Sequence, residues 1–310
     1  MALSLRELRR RVTQFAIRNT IKATANLPID LQRSIIGTSI VLSGKIPLLR
    51  WRVRETMRLA LGDGVPRGAE DRYFIRLAWF YANALSAFHH GLMATAVPHQ
   101  IAFDDSVRHL DDAMAEGRGV ILVSSHWAGH ELVGAMIGRR HPMVMLVRQA
   151  STPEQMTRKL KWYEALGADI VLRPKRASTI KDAVAYLKVL KGGKLLAITP
   201  DLLADGNDGK EVRIFGRVTR LPQGAFAFAA IAQAPMVRLY LRWQSDSRVT
   251  ARFERAPAFN TGDRDADIRA AMLNWCQWFE EELRTNPENW SFWLDKRWSR
   301  FLRSTPRSLE

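Results

Sequence analysis

The sequence predicts an α/β fold: a mainly parallel central sheet flanked by helices, with a helical N-terminal part. Three observations predict it. Short continuous apolar runs such as "GVILVSS" (119–125) read as strands buried on both faces. These runs alternate with helical patterns that close on glycine at 117, 167 and 192, the order of βαβ units. Residues 50–96 carry a helical pattern throughout, interrupted at "GDGVPRG" (62–68).

Each element follows in turn. "SVRHLDDAMAEG" is a helix that ends at Gly117, and 119–125 is the first strand. A helix over 129–138 precedes the strand "PMVMLVR" (142–148). "STPEQMTRKLKWYEALG" is a helix, "ADIVLR" a strand, "STIKDAVAYLKVLKGG" a helix and "LLAITPD" a strand. A helix over 222–233 leads to the strand "PMVRLYLRW", and a last long helix runs from about 265 to 285 into "NPENWSFWLDKRW". There is no repeat, low-complexity segment or linker. The expected organisation is a helical, membrane-facing part over 1–104 packed on one continuous α/β core over 105–310.

Composition narrows the class. The chain has 310 residues, 47% hydrophobic and 25% charged, enough for a large core and unlike a disordered chain. Its net charge is +16, and residues 1–60 hold 12 Lys/Arg against 3 Asp/Glu. A basic front end calls for an anionic partner: a phospholipid surface, a nucleic acid or an acidic carrier protein. A nucleic-acid binder would interleave aromatics with its basic residues, and residues 1–60 contain only Phe15 and Trp51. Leu5, Leu8, Val12 and Phe15 instead share one helical stripe beside arginines, the pattern of a helix lying on a membrane. The opening "MALSLRELRRRVTQF" lacks the apolar stretch of a signal peptide. The uncharged run 77–103 contains Asn83, His89 and His90, so its helix is expected to be buried in protein rather than to span lipid. The single cysteine, Cys276, lies among tryptophans and is read as core.

In open α/β sheets the ligand sits beyond the carboxyl ends of the strands. The residues there are His126, Arg148, Arg173, Asp201 and Arg242. One imidazole, a carboxylate and several guanidiniums make a proton-transfer site for an anionic substrate. Five helical steps separate His126 from Glu131, about 500°, so within one helix the side chains would diverge by roughly 140°. They meet only if His126 precedes the first helical turn. Glu131 could then fix the imidazole tautomer and stabilise the imidazolium. His126 and His130 with Glu131 lack the H-E-x-x-H order and a third ligand, so no metal is expected.

These residues carry a resemblance. "HWAGHE" resembles the H-x-x-x-x-D/E motif of the glycerolipid acyltransferase superfamily. "LKGGKLLAITPD" and "RIFGRVTRLPQGAFAFAAIAQAPMVRLYLR" are similar to the later blocks of the bacterial late acyltransferases of lipid A biosynthesis. "NPENWSFWLDKRW" resembles their C-terminal signature, and "RETMRLALGD" matches their early helix more loosely. The likeness covers roughly 35–300, and the phosphatidylinositol mannoside acyltransferase belongs to the same group. It implies transfer of a fatty acyl group from acyl carrier protein or coenzyme A to a lipid hydroxyl or amine. No acyl-enzyme, metal or cofactor is implied. His126 would be the general base. Glu131 would orient it, with Asp201 as the other candidate partner. Arg148, Arg173 and Arg217 would bind substrate. Those relatives typically carry an N-terminal membrane-spanning helix. This chain offers an amphipathic basic segment and the short "SIIGTSIVLSG", which implies a peripheral or monotopic enzyme on the cytoplasmic face of the inner membrane. A non-catalytic membrane-binding protein or a nucleic-acid-binding protein is the alternative. Residues 77–97 and 224–234 are expected to help wall the acyl pocket; Ala227 and Ala230, three apart, share one helical face, and the sequence leaves open whether that face lines the pocket.

Overall fold

The computed structural model describes residue 19 and residues 22–174, 180–204 and 209–304. The stripe Leu5/Leu8/Val12/Phe15 lies outside them. Three helices lead the described chain: α1 (Ile29–Ser43), α2 (Pro47–Leu61) and α3 (Ala69–His90). After β1 (Ile101–Phe103) come α4 (Arg108–Ala115), β2 (Val120–Val123), α5 (His130–Ile137) and β3 (Met143–Arg148). Then follow α6 (Pro153–Leu166), β4 (Asp169–Arg173), α7 (Ile180–Lys191) and β5 (Leu195–Ile198). A hairpin of β6 (Lys210–Ile214) and β7 (Arg217–Leu221) precedes α8 (Gly224–Ala232) and β8 (Met236–Trp243). The chain closes with β9 (Val249–Arg255), α9 (Arg264–Thr285) and α10 (Lys296–Arg303).

Seven strands form one sheet in the order β1-β9-β8-β2-β5-β3-β4. Every neighbouring pair is parallel except β8 and β9. The fold is therefore α/β with a mainly parallel sheet, as the alternation predicts. β2 lies at its centre between β5 and β8, and all four of its residues are buried. Its register sets Val123 beside Ile198, so the residues that leave β2 and β5 emerge side by side.

Local chemistry explains the boundaries. Thr152 caps α6 by accepting a hydrogen bond from the Gln155 N–H, and Pro153 fills the first helical position. Asp263 and Asp295 cap α9 and α10 in the same way. The β6–β7 connection has two residues, Phe215 and Gly216, both with positive φ, as a tight hairpin requires. Phe215 tolerates that conformation because its buried ring packs against Phe279, Trp290 and Trp298, and its N–H reaches Glu280 at 2.7 Å.

The helix α3 is largely buried. It is tied to the C-terminal loop by a Tyr73 hydroxyl bond to the Ser291 carbonyl at 3.0 Å and an Arg72–Glu288 ion pair at 2.8 Å. Among the described residues no helix is long and apolar enough to cross a membrane. Cys276 is buried and its thiol is pushed up to about 12 by burial.

Candidate active site

The last buried residues of β2 are followed by Ser124, Ser125 and His126. The turn into α5 passes through Gly129 at φ 99°, where a Cβ would lie 2.6 Å from the Trp79 ring on α3. Glycine is required there twice over, by the backbone angle and by the close approach. This turn places His126 before the first helical residue, as its spacing demands.

The carboxylate that meets it is Asp201, which follows β5. The His126 ring Nδ1 lies 2.7 Å from Asp201 Oδ1, and the His126 backbone N–H donates to Oδ2 at 2.8 Å. A carboxylate can only accept, so Nδ1 carries the proton and Nε2 is left with its lone pair. Among the described residues no hydrogen bond engages Nε2, and His126 lines a cavity of about 540 Å³. Asp201 is completely buried. Burial pushes its carboxyl up, but the charge of His126 and the hydrogen bonds from His126 and Trp290 outweigh this, and the net shift is downward. The carboxylate is thus held ionised in the protein interior.

Glu131 does not make the expected bond to His126. The turn ends at His130, so Glu131 already stands in the first turn of α5 and faces α6. Its oxygens accept from the Trp162 indole at 2.9 Å and the Tyr163 hydroxyl at 2.6 Å. It borders the same cavity as His126 but ties α5 to α6. His130 donates its Nδ1–H to the Trp127 carbonyl at 2.9 Å, and its ring lies 5.0 Å from that of His126. Burial, then the neighbouring His126, holds its proton affinity down.

The cavity has a cationic rim. Arg148 at the end of β3 and Arg173 at the end of β4 both border it, paired in register across the two strands. Lys159 joins them from α6, its ammonium donating to the Arg148 carbonyl at 2.8 Å. Burial pulls Lys159 below its usual value; Glu131 opposes the shift and Arg148 adds to it. Arg217 is not part of this rim. It sits on the hairpin and donates to the Ser304 carbonyl. Arg242 is engaged by Glu282 through two bonds, at 2.6 and 2.9 Å.

Apolar side chains, among them Leu122, Met145, Ile198 and Phe228, make much of the remaining wall, with Ser124, Thr199 and Gln223 between them. The helix α8 contributes Gly224, Ala225 and Phe228, so the face shared by Ala227 and Ala230 is not the one that lines the cavity. Ala230 borders a second cavity elsewhere. None of residues 77–97 is among the described lining residues. Lys159, Tyr163 and Trp162 escaped the sequence reading because they lie on a helix rather than at a strand end. Among the described residues no group of three or more His, Cys, Asp or Glu is placed to hold a metal ion.

The His–Asp pair, the cationic rim and the apolar wall are what an acyl transfer site needs. The profile of the bacterial lipid A biosynthesis acyltransferases matches residues 91–300, more than half of the chain. The chain belongs to this family. A comparison with the curated proteins finds no match. Membership makes the chain an acyltransferase of lipid biosynthesis, and the matched span runs from Gly91, ahead of β1, into α10, so it covers the whole sheet and every residue named above as bordering the site cavity.

Proposed function

We propose that the protein transfers a fatty acyl group from a thioester, on acyl carrier protein or coenzyme A, to a hydroxyl or amine of a lipid or glycolipid. The observation that carries this reading is the His126 imidazole, backed by a buried carboxylate on Nδ1 and bordering the cavity. His126 Nε2 takes the proton of the acceptor as its oxygen or nitrogen attacks the thioester carbonyl. Asp201 stabilises the imidazolium that forms. The tetrahedral intermediate collapses with cleavage of the C–S bond, and the imidazolium returns its proton to the thiolate. No acyl-enzyme is formed. Arg148, Arg173 and Lys159 hold the phosphate groups of the donor, and the apolar wall takes its chain.

The reaction takes place at a membrane surface, the cytoplasmic face of the inner membrane, with the enzyme bound peripherally. Its support is a ridge on α1 and α2. Leu31, Ile35 and Leu42 share one exposed face of α1, and Ile46, Leu48 and Trp51 continue it; Leu42 and Leu48 are each 60% exposed and Trp51 55%. Lys45, Arg54 and Arg58 stand near them in the chain with well-exposed side chains, each also within ion-pair distance of a carboxylate, Asp71, Glu70 and Asp63 respectively. Apolar anchors among basic residues suit an anionic bilayer.

The test is incubation of purified protein with bacterial membrane lipids and radiolabelled acyl thioesters of both kinds, followed by lipid mass spectrometry. A lipid product gaining one acyl chain is the expected result. Label that accumulates on the protein, or thioesters left unconsumed with every lipid fraction, overturns the reading.

A further inference from the structure

The C-terminal segment "NPENWSFWLDKRW" reaches into the site from behind, and the transfer chemistry leaves its role unexplained. Its backbone is stitched to the turn that carries His126. Ala128 N–H donates to the Asn289 carbonyl at 2.7 Å, and Trp127 and Trp290 form a β-bridge. The His126 carbonyl accepts from both the N–H and the hydroxyl of Ser291, at 2.9 and 2.6 Å. Phe292 stacks on the His126 imidazole, centroids 4.2 Å apart. The tryptophans act on Asp201. Trp290 Nε1–H donates to Oδ2 at 2.8 Å, and Trp298 Nε1–H donates to the Asp201 carbonyl at 2.9 Å. Trp290 is itself fully buried, with edge-on contacts to Trp293 and Trp298.

We propose that Trp290 is a positioning residue of the catalytic pair: its indole N–H fixes the rotamer of the Asp201 carboxylate and keeps it charged, leaving Oδ1 to the His126 ring. The assignment rests on the general-base reading of His126. Oδ2 receives two N–H donors, from Trp290 and from the His126 backbone, so it is saturated. Among the described residues Oδ1 receives only the imidazole. An indole is a donor without a proton to lose, so it can hold a buried carboxylate ionised without competing in proton transfer. Among the described residues the titratable groups nearest the pair are His130, whose ring lies 5.0 Å from His126, and Glu131 next to it in sequence, whose carboxylate turns to α6 and is bonded to Trp162 and Tyr163. Arg297 on α10 donates to the Leu203 carbonyl.

The experiment compares Trp290→Phe with Trp293→Phe. Trp293 is equally buried in the same segment, but its indole donates to the Pro287 carbonyl at 2.6 Å. Trp290→Phe should lower kcat roughly 10–100-fold with little change in KM, the scale of one lost hydrogen bond to a charged group. It should also move the acid limb of the kcat/KM profile up by about one pH unit. The Asp201 carboxyl, without one of the hydrogen bonds that lower it, then holds its proton more tightly, which sets the sign. Trp290→His, which keeps a ring N–H, should recover part of the loss. Trp293→Phe should lower the melting temperature and leave the acid limb in place. An acid limb unmoved in Trp290→Phe, or moved equally in Trp293→Phe, overturns the proposal. A readout without turnover separates it from the transfer reading. In protein with 15N-labelled tryptophan, the Trp290 indole resonance should shift on Asp201→Asn, when a charged acceptor becomes a neutral one, while the Trp293 indole resonance stays in place. A Trp290 indole resonance unmoved by Asp201→Asn also overturns the proposal, whether or not Trp290→Phe folds and whether or not transfer is detected.

Discussion

His126 and Asp201 stand 75 residues apart in the chain and 2.7 Å apart in the fold. Their meeting is a consequence of sheet order. β2 and β5 are neighbours in register, so the residues that leave their carboxyl ends face each other. Glu131, only five residues from His126, is carried away on the first turn of α5.

His126→Ala should reduce kcat by about 10²–10⁴-fold, the usual contribution of a general base. Its side chain is partly exposed at the cavity, so the variant should melt within a few degrees of wild type. A folded variant with wild-type turnover would remove His126 from the chemistry.

Asp201→Asn should approach the His126→Ala defect in kcat, because the amide no longer holds the Nδ1–H tautomer nor stabilises the imidazolium. Glu131→Gln should be mild in kcat and act through the α5–α6 contact, raising the donor KM. Steady-state kinetics of the two variants decide between the carboxylates; the reverse ranking would return Glu131 to the pair. The wild type should also lose stability in acid. The folded Asp201 carboxyl lies below its ordinary value of 3.8, so its contribution is present above that pH and lost as pH falls through the folded value. Melting temperatures measured as pH falls from about 5 toward 2 should drop less steeply for Asp201→Asn.

The sequence made much of this legible, and the gaps have physical causes. β2, β3 and β5 are short, mostly buried apolar runs rich in Val, Ile, Leu and Met and set between helices that end on glycine. β9 alternates Ala251 and Phe253 with Arg252 and Glu254, so only one face carries its signal, and β1 has three residues, too few for any period. His126 was visible because strand ends carry ligands. Its partner was ambiguous because nearness in sequence favoured Glu131, while the Asp201 contact depends on which strands are neighbours. Lys159 and Trp290 come from a helix and a C-terminal loop, where a strand-end rule does not look. Arg217 was chosen by likeness of a block, and the hairpin turns it toward Ser304.

Arg148→Gln and Arg173→Gln should each raise the KM for acyl thioester about tenfold while leaving kcat nearly unchanged, since a cation that meets the donor's phosphates acts alike in the ground and transition states. The KM of wild type should rise with salt more steeply than that of either variant. Equal salt slopes in all three would place the donor's charge elsewhere.

Leu42→Ser combined with Leu48→Ser should weaken sedimentation with anionic vesicles and leave turnover on a detergent-dispersed acceptor unchanged. Both side chains are exposed in the free protein, so folding should not suffer. Burying each in the bilayer is worth about 1.5–3 kcal/mol, and each nearby basic residue adds about 1 kcal/mol that salt removes. Sedimentation that matches wild type would place the membrane contact outside the α1–α2 ridge.

The acyl chain offers the last prediction. On α8 the cavity meets Gly224, Ala225 and Phe228, and Phe228 packs edge-on against Tyr186 with centroids 5.3 Å apart. Ala225 is buried against the wall, so a larger side chain there must intrude on the space of the chain. Each methylene of a bound chain is worth about 0.8 kcal/mol, and overpacking costs about 1–3 kcal/mol. Ala225→Leu should therefore shift preference toward donors shorter by a few carbons. Phe228→Ala opens the same wall and should shift it toward longer ones. Ala230→Leu is the control, since Ala230 borders the other cavity and should leave the length profile where it was. The measurement is kcat/KM over donors of graded length, with a melting temperature for each variant. Opposite shifts from Ala225→Leu and Phe228→Ala mark α8 as a wall of the chain pocket. Uniform losses at every length, matched by a fall in melting temperature, would mean that these residues serve only the core.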